Sequence, residues 1–138
     1  MPAKDLFHNT VKTSLEKDGW TITDENLFIK IDKIEFYIDL VAERILIAEK
    51  AGQKIAVEVK SFTGASVVSE FHTALGQFLN YRSALRKKLP ERILYLAVSF
   101  DIYDDFFQSS FIQEIIAEHQ VKLLVFEPQK EEIVLWIK

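Results

Sequence analysis

The sequence predicts an α/β sandwich in which helices cover a mixed β-sheet. Two observations carry this expectation. The strand-like and helical runs follow the order α, several β, α, β, α, β, β, which suits a mixed sheet with helices packed against it. The chain has 138 residues, 49% of them hydrophobic, and no cysteine, so one apolar core can hold it without disulfides or structural thiolate metals. No internal repeat or long linker divides the chain, and a single domain over 1–138 is expected.

Leu6, Phe7, Val11 and Leu15 recur at helical spacing until Gly19, which predicts a helix over Lys4 to Asp18. Trp20 to Thr23, Leu27 to Ile31 and Glu35 to Leu40 are short runs rich in β-branched and aromatic residues, separated by polar turns, and read as strands. Arg44 to Lys50 and Lys54 to Lys60 read as a hairpin turning through Ala51-Gly52-Gln53. Gly64 and Ser66 then serve as breaker and cap for a long helix with the apolar face Val67, Val68, Phe71, Leu75, Phe78, Leu79 and Leu85, closed by Pro90. Arg92 to Ser99 reads as a buried strand and Asp101 to His119 as one or two helices. Val121 to Phe126 and Glu131 to Ile137 are further strands, with a turn at Pro128.

Composition and motifs exclude several functions. No apolar run reaches the roughly 18 residues needed to span a bilayer, and Met1 to Asp5 lacks the apolar core of a signal peptide, so a cytoplasmic protein with no membrane partner is expected. The formal charge of -4 counts against generic tight adsorption to nucleic acid, though not against a local basic surface. A Gly-rich phosphate loop, a His-x-x-x-His pair and a Gly-x-Ser-x-Gly elbow are all missing, which removes the sequence devices of nucleotide, zinc and serine-hydrolase chemistry.

The residues that could carry chemistry lie on the second strand of the hairpin. Side chains two apart on a strand share a face, so Glu58 and Lys60 point one way while Ile55, Val57 and Val59 point the other. Glu58 and the Val59 carbonyl could ligate Mg²⁺, a hard cation that takes oxygen ligands. Lys60 could stabilise charge building on phosphorus or help deprotonate water. Taken alone, Glu-x-Lys also fits a solvated ion pair.

A second metal-binding acid is needed, and Asp39 and Glu43 both compete for that place. With the hairpin turning near Gly52, Glu58 faces Leu46, and Asp39 reaches the site only through a bend or bulge between Val41 and Arg44. On the long helix Gln77 and Tyr81 are four apart and share a face; the amide could orient water or a carboxylate, and the tyrosine could stack or donate. His8, Lys12 and Glu16 line one face of the first helix. Arg82, Arg86, Lys87, Lys88 and Arg92 form the one dense basic cluster, with Arg82 and Arg86 beside Tyr81 as candidate DNA contacts. Asp101, Asp104 and Asp105 precede Phe106 and Phe107 at a helix start, where acids serve as caps.

The ordered set of a helix, Asp39, a hairpin, Glu58-Val59-Lys60 and a helix with Gln77-x-x-x-Tyr81 resembles the PD-(D/E)XK nuclease superfamily, although Ile38 stands where that signature often has proline. More closely, Lys4-Asp5-Leu6-Phe7-His8, Lys17-Asp18-Gly19-Trp20-Thr21-Ile22-Thr23, Ile55-Ala56-Val57-Glu58-Val59-Lys60-Ser61-Phe62 and Ala74-Leu75-Gly76-Gln77-Phe78 look like the XisH family. So do Leu94-Tyr95-Leu96-Ala97-Val98 and Ile133-Val134-Leu135-Trp136-Ile137. The resemblance implies a restriction-endonuclease-like fold and a cyanobacterial factor controlling excision of the fdxN element with a recombinase and an XisI-like partner. On that basis Asp39, Glu58, Lys60 and Gln77 are the expected catalytic set, with Mg²⁺ on Asp39, Glu58 and Val59, DNA against Tyr81, Arg82 and Arg86, and a homodimer as a further possibility. The alternative is a non-catalytic accessory protein that binds its partner and steers the recombinase.

Overall fold

The computed structural model describes residues 5–44 and 52–138, with 42–44 described by backbone alone. The elements are α1 (His8–Lys17), β1 (Thr21–Ile31), β2 (Ile34–Arg44), β3 (Gln53–Val59), α2 (Val67–Lys88), β4 (Ile93–Ser99), α3 (Phe100–Asp104), a 3-10 turn (Phe106–Gln108), α4 (Ser110–Glu118), β5 (Leu123–Glu127) and β6 (Glu132–Ile137). They form a six-stranded sheet in sequence order, β1 to β6. The flanking pairs β1–β2, β2–β3 and β5–β6 are antiparallel, and β3–β4 and β4–β5 are parallel. The expected mixed sheet flanked by helices is therefore present.

The parallel strands at the centre are covered on both faces, as such strands require. On one face Val11 and Leu15 of α1 pack with Trp20, Val57, Val59, Tyr95 and Leu124; on the other, Phe71, Ala74 and Phe78 of α2 and Ile112 of α4 pack with Ala56, Leu96 and Leu123. Strand β3 thus alternates as expected, Ile55, Val57 and Val59 toward the α1 side and Ala56 toward the α2 side. Ser66 caps α2 by accepting the Ser69 N–H at 3.1 Å, as the sequence suggested.

Three local expectations are corrected. The two short strands before Asp32 are one, β1, which continues through Asn26 in a left-handed conformation at φ 54°; asparagine tolerates that region, so the polar break does not end the strand. The hairpin register also differs. Strand β2 runs to Arg44, which pairs with Gln53, so Leu40 lies opposite Val57 and the ladder leads from there toward Asp39 and Glu58; Leu46 and the expected strand from 45 to 50 lie outside the described residues. Finally, Asp104 and Asp105 do not cap a helix start. Asp104 ends α3, Asp105 makes no capping hydrogen bond, and the cap of α3 is Ser99, whose Oγ accepts the Ile102 N–H. A hydroxyl at the strand end is already placed for that bond, leaving only Asp101 in the first turn.

Candidate active site

The sheet parts where its acidic residues sit. The β2–β3 ladder runs from Arg44–Gln53 to Leu40–Val57. Beyond it the next backbone donor, the Val59 N–H, goes to the Asp39 carboxylate at 2.7 Å instead of to a β2 carbonyl. The Lys60 N–H turns to the neighbouring strand and bonds the Ala97 carbonyl at 3.1 Å. Asp39 therefore stands beside Glu58 by register, without a bend between Val41 and Arg44. The Glu43 backbone pairs with Lys54, at the far end of that ladder.

Glu58 is 7% exposed, and its Oε2 is buried without a hydrogen-bond partner among the described residues. Burial, and next the Asp39 charge, push its carboxyl up to about 9, while Lys60 pulls the other way. Asp39 is raised as well, by burial first, against the lowering pull of the Val59 N–H, His8 and Lys60. A buried carboxyl cannot cheaply carry charge next to a second, half-buried one, so Glu58 holds its proton until a cation or donor compensates the pair.

Residues that sequence reasoning did not assign complete the surroundings. Asp5, ahead of α1, accepts the Phe7 N–H at 2.9 Å and the Ser61 N–H at 3.0 Å, and its charge reaches both Asp39 and Glu58. Its signal was an acid two residues before the N-cap Phe7, a turn-forming position. His8 is fully buried, with Nε2 at 2.8 Å from Glu25, whose other oxygen accepts from Lys12 at 2.9 Å. These hydrogen bonds, from His8 and then Lys12, hold the Glu25 carboxyl down at about 2. The His8–Lys12 stripe does turn inward, but its acid comes from β1; Glu16 is exposed.

From the other face, Tyr81 reaches toward the carboxylates. Its ring packs edge-on against Phe36 at 5.9 Å, and burial followed by the Glu58 and Asp39 charges pushes its phenol up to about 12. Gln77, one turn earlier, is half-buried and makes no side-chain hydrogen bond among the described residues. Arg82 turns away: its Nη1 donates to the His119 and Gln120 carbonyls at 2.8 and 3.0 Å, tying α2 to the end of α4. Arg86 is exposed one turn further on. After Lys60, Phe62 holds a left-handed φ of 57° with its ring buried against Phe107; such a conformation costs about 1–3 kcal/mol and is kept by the surrounding packing. Among the described residues no three His, Asp or Glu side chains are gathered as a preformed metal cage.

A mixed α/β sheet that parts around a buried carboxyl, a half-buried one and a lysine defines the class of this chain. Its family follows from comparison: the model of the XisH protein family matches residues 1–134, and the chain belongs to that family. It is similar to the crystal structure of an XisH family protein from Nostoc punctiforme, 52% identical, with 97% of this chain and 100% of that one covered and a TM-score of 0.88. It is likewise similar to a fdxN element excision controlling factor protein from Anabaena variabilis, 53% identical, with 98% and 100% covered and a TM-score of 0.88. No curated protein matches the chain. Among the described residues, no helix is long and apolar enough to cross a membrane.

Proposed function

We propose that this chain is a DNA-processing factor of the PD-(D/E)XK type that takes part in controlling excision of a fdxN-type element and hydrolyses phosphodiester bonds with Mg²⁺. The observation that carries this reading is the pair of the buried Glu58 and the half-buried Asp39 with Lys60 beside it, Glu58 Oε2 having no partner among the described residues. An orphaned buried carboxyl oxygen next to a second carboxyl fits a hard cation, which is commonly held by one or two carboxylates with water and phosphate oxygens completing the shell. Asp39, Glu58 and the Val59 carbonyl would hold it; when bound, it supplies Lewis-acid stabilisation of phosphoryl oxygens.

The protein's own groups have distinct roles in this reading. Lys60 sets a positive charge beside the negative charge that grows on phosphorus as water attacks and the P–O bond to the leaving strand breaks. Gln77 and Tyr81 bound the site from α2 and orient water and the nucleotide. Asp5 fixes the N-terminal turn of α1 against the loop after Lys60, and His8 fixes it against Glu25 of β1. The test is cleavage of branched and supercoiled DNA in Mg²⁺ by wild type, Lys60→Ala and Glu58→Gln. Loss in both variants supports the reading, and equal cleavage by all three refutes it.

The second reading, an accessory protein that binds an XisI-like partner and steers a recombinase, draws on the formal charge of -4 and on the lack of a preformed three-ligand cage among the described residues. Excision supported by wild type and Glu58→Gln alike, with no cleavage by either, decides for it.

A further inference from the structure

The C-terminal half of α2 and the helix α4 leave an open cavity of about 690 Å³, a size at which small-molecule sites are commonly found. Ile93 lies at its mouth and Leu94 in its wall. Strands β3 and β4 run parallel with Ile55 beside Ile93 and Glu58 beside Leu96. At roughly 3.3 Å per residue, the cavity end of the sheet is therefore about 10 Å back from the carboxyl pair.

The cavity has an apolar floor and charges of one sign. Leu85, Phe107 and Leu123 form buried parts of the floor, and Ile93, Ile116 and Ile137 offer accessible apolar surface. Arg82, Arg86, Arg92, Lys122 and Lys138 line it, and among the described residues no Asp or Glu side chain does. In a chain with formal charge -4, this is a local reversal of the overall balance. Among the described residues, Arg82, Arg86 and Lys122 form no ion pair with a carboxylate. Arg82 is held in place, with its Nη1 on two backbone carbonyls and its guanidinium 5.4 Å from the Phe78 ring centre. Burial first, and then the neighbouring Arg86 charge, hold that guanidinium below its ordinary value. A guanidinium has five N–H donors, and those not spent on the carbonyls remain for an acceptor.

We propose that this cavity is a binding site for an organic anion that carries a terminal carboxylate or phosphate on an apolar body. The head group lies at the fork made by Arg82 and Arg86, one helical turn apart, and the body lies along Ile116 and Phe107. A bare inorganic anion would leave the apolar wall unused, and a neutral apolar ligand would leave the guanidinium pair uncompensated. The site is separate from the carboxyl pair and does not depend on the nuclease reading.

The experiment is titration calorimetry of the full chain with decanoate and with decyl phosphate, using decanol and inorganic phosphate as controls. Saturable one-to-one binding of at least one of the two anions is expected, the tighter one identifying the preferred head group. Arg86→Glu should weaken it by roughly tenfold or more, the scale of a lost charge-assisted hydrogen bond. Ala117→Trp, at an exposed lining position, should block it, with the melting temperature of both variants unchanged. Glu58→Gln should leave it as in wild type. The proposal is overturned if neither anion binds, if decanol matches decanoate, or if inorganic phosphate matches decyl phosphate. It is equally overturned if Arg86→Glu has no effect, if Glu58→Gln abolishes binding, or if short duplex DNA displaces decanoate, which would make the cavity part of a nucleic-acid track.

Discussion

Replacing Glu58 by glutamine should stabilise the metal-free protein, and by an amount that grows with pH. The ordinary value of 4.5 rises to about 9 in the folded state, so between these limits the folded protein holds a proton that the unfolded chain releases. A raised acid therefore contributes its full stability below pH 4.5 and loses it progressively as pH climbs toward 9. At about 1.4 kcal/mol per pH unit, the loss at pH 7 is about 3 kcal/mol. Glu58 is only 7% exposed, so solvent screening removes little of it. Glutamine keeps the shape and the neutral state, and pays no such proton uptake. Urea denaturation of both proteins from pH 4 to pH 9 measures the effect. Their stabilities should coincide near pH 4, and the variant should lead by about 3 kcal/mol at pH 7, with the gap widening above it. Asp39 is raised in the same direction, so the difference reports Glu58 together with its coupling to Asp39. A gap that does not change with pH, or a variant less stable at pH 8, would mean that the fold does not hold the Glu58 proton.

Other consequences follow from the same geometry. Because Glu58 must lose its proton to ligate a cation, Mg²⁺ binding should release about one proton and tighten as pH rises toward 9, and the melting-temperature gain should vanish in Glu58→Gln; proton release monitored with a pH dye checks this. Lys60→Ala should lower DNA cleavage by roughly a hundredfold while leaving the denaturation midpoint nearly unchanged, the scale of one preorganised charge donor. Glu25→Gln should cost about 1 kcal/mol near neutral pH, since Glu25 is partly exposed and solvent screens its pairs. Its carboxyl is lowered to about 2, so this contribution is present above pH 4.5 and lost as pH falls through about 2, and acid denaturation curves of the two proteins should converge there. Gln120→Gly should stabilise by about 0.5 kcal/mol, because Gln120 ends α4 in a left-handed conformation at φ 52°, which glycine adopts without strain; a lower midpoint for the variant would contradict it.

The local pattern determined much of this protein. Alternation in Ile55 to Lys60 fixed which side chains leave β3 together, because pleated strands have a period of two whatever surrounds them. The periodicity of Phe71, Phe78 and Leu85 fixed the buried face of α2, and Ser66 its start. Residue types likewise marked Glu58 and Lys60 as a possible reactive pair.

What lay beyond local pattern was register and approach. Whether Asp39 or Glu43 meets Glu58 depends on where the β2–β3 ladder begins, and a sequence in which both strands are apolar admits several offsets. Only the fold sets Arg44 against Gln53 and brings Asp39 onto the Val59 N–H. The same holds for Asp5 on Ser61, His8 on Glu25 and Arg82 on the carbonyls of α4. These are contacts between segments 17 to 56 residues apart in the chain. Periodicity and the chemical type of each side chain are local and can be read along the chain; which of those side chains share a desolvated space cannot, because burial and the charges it brings together are properties of packing and not of any single segment.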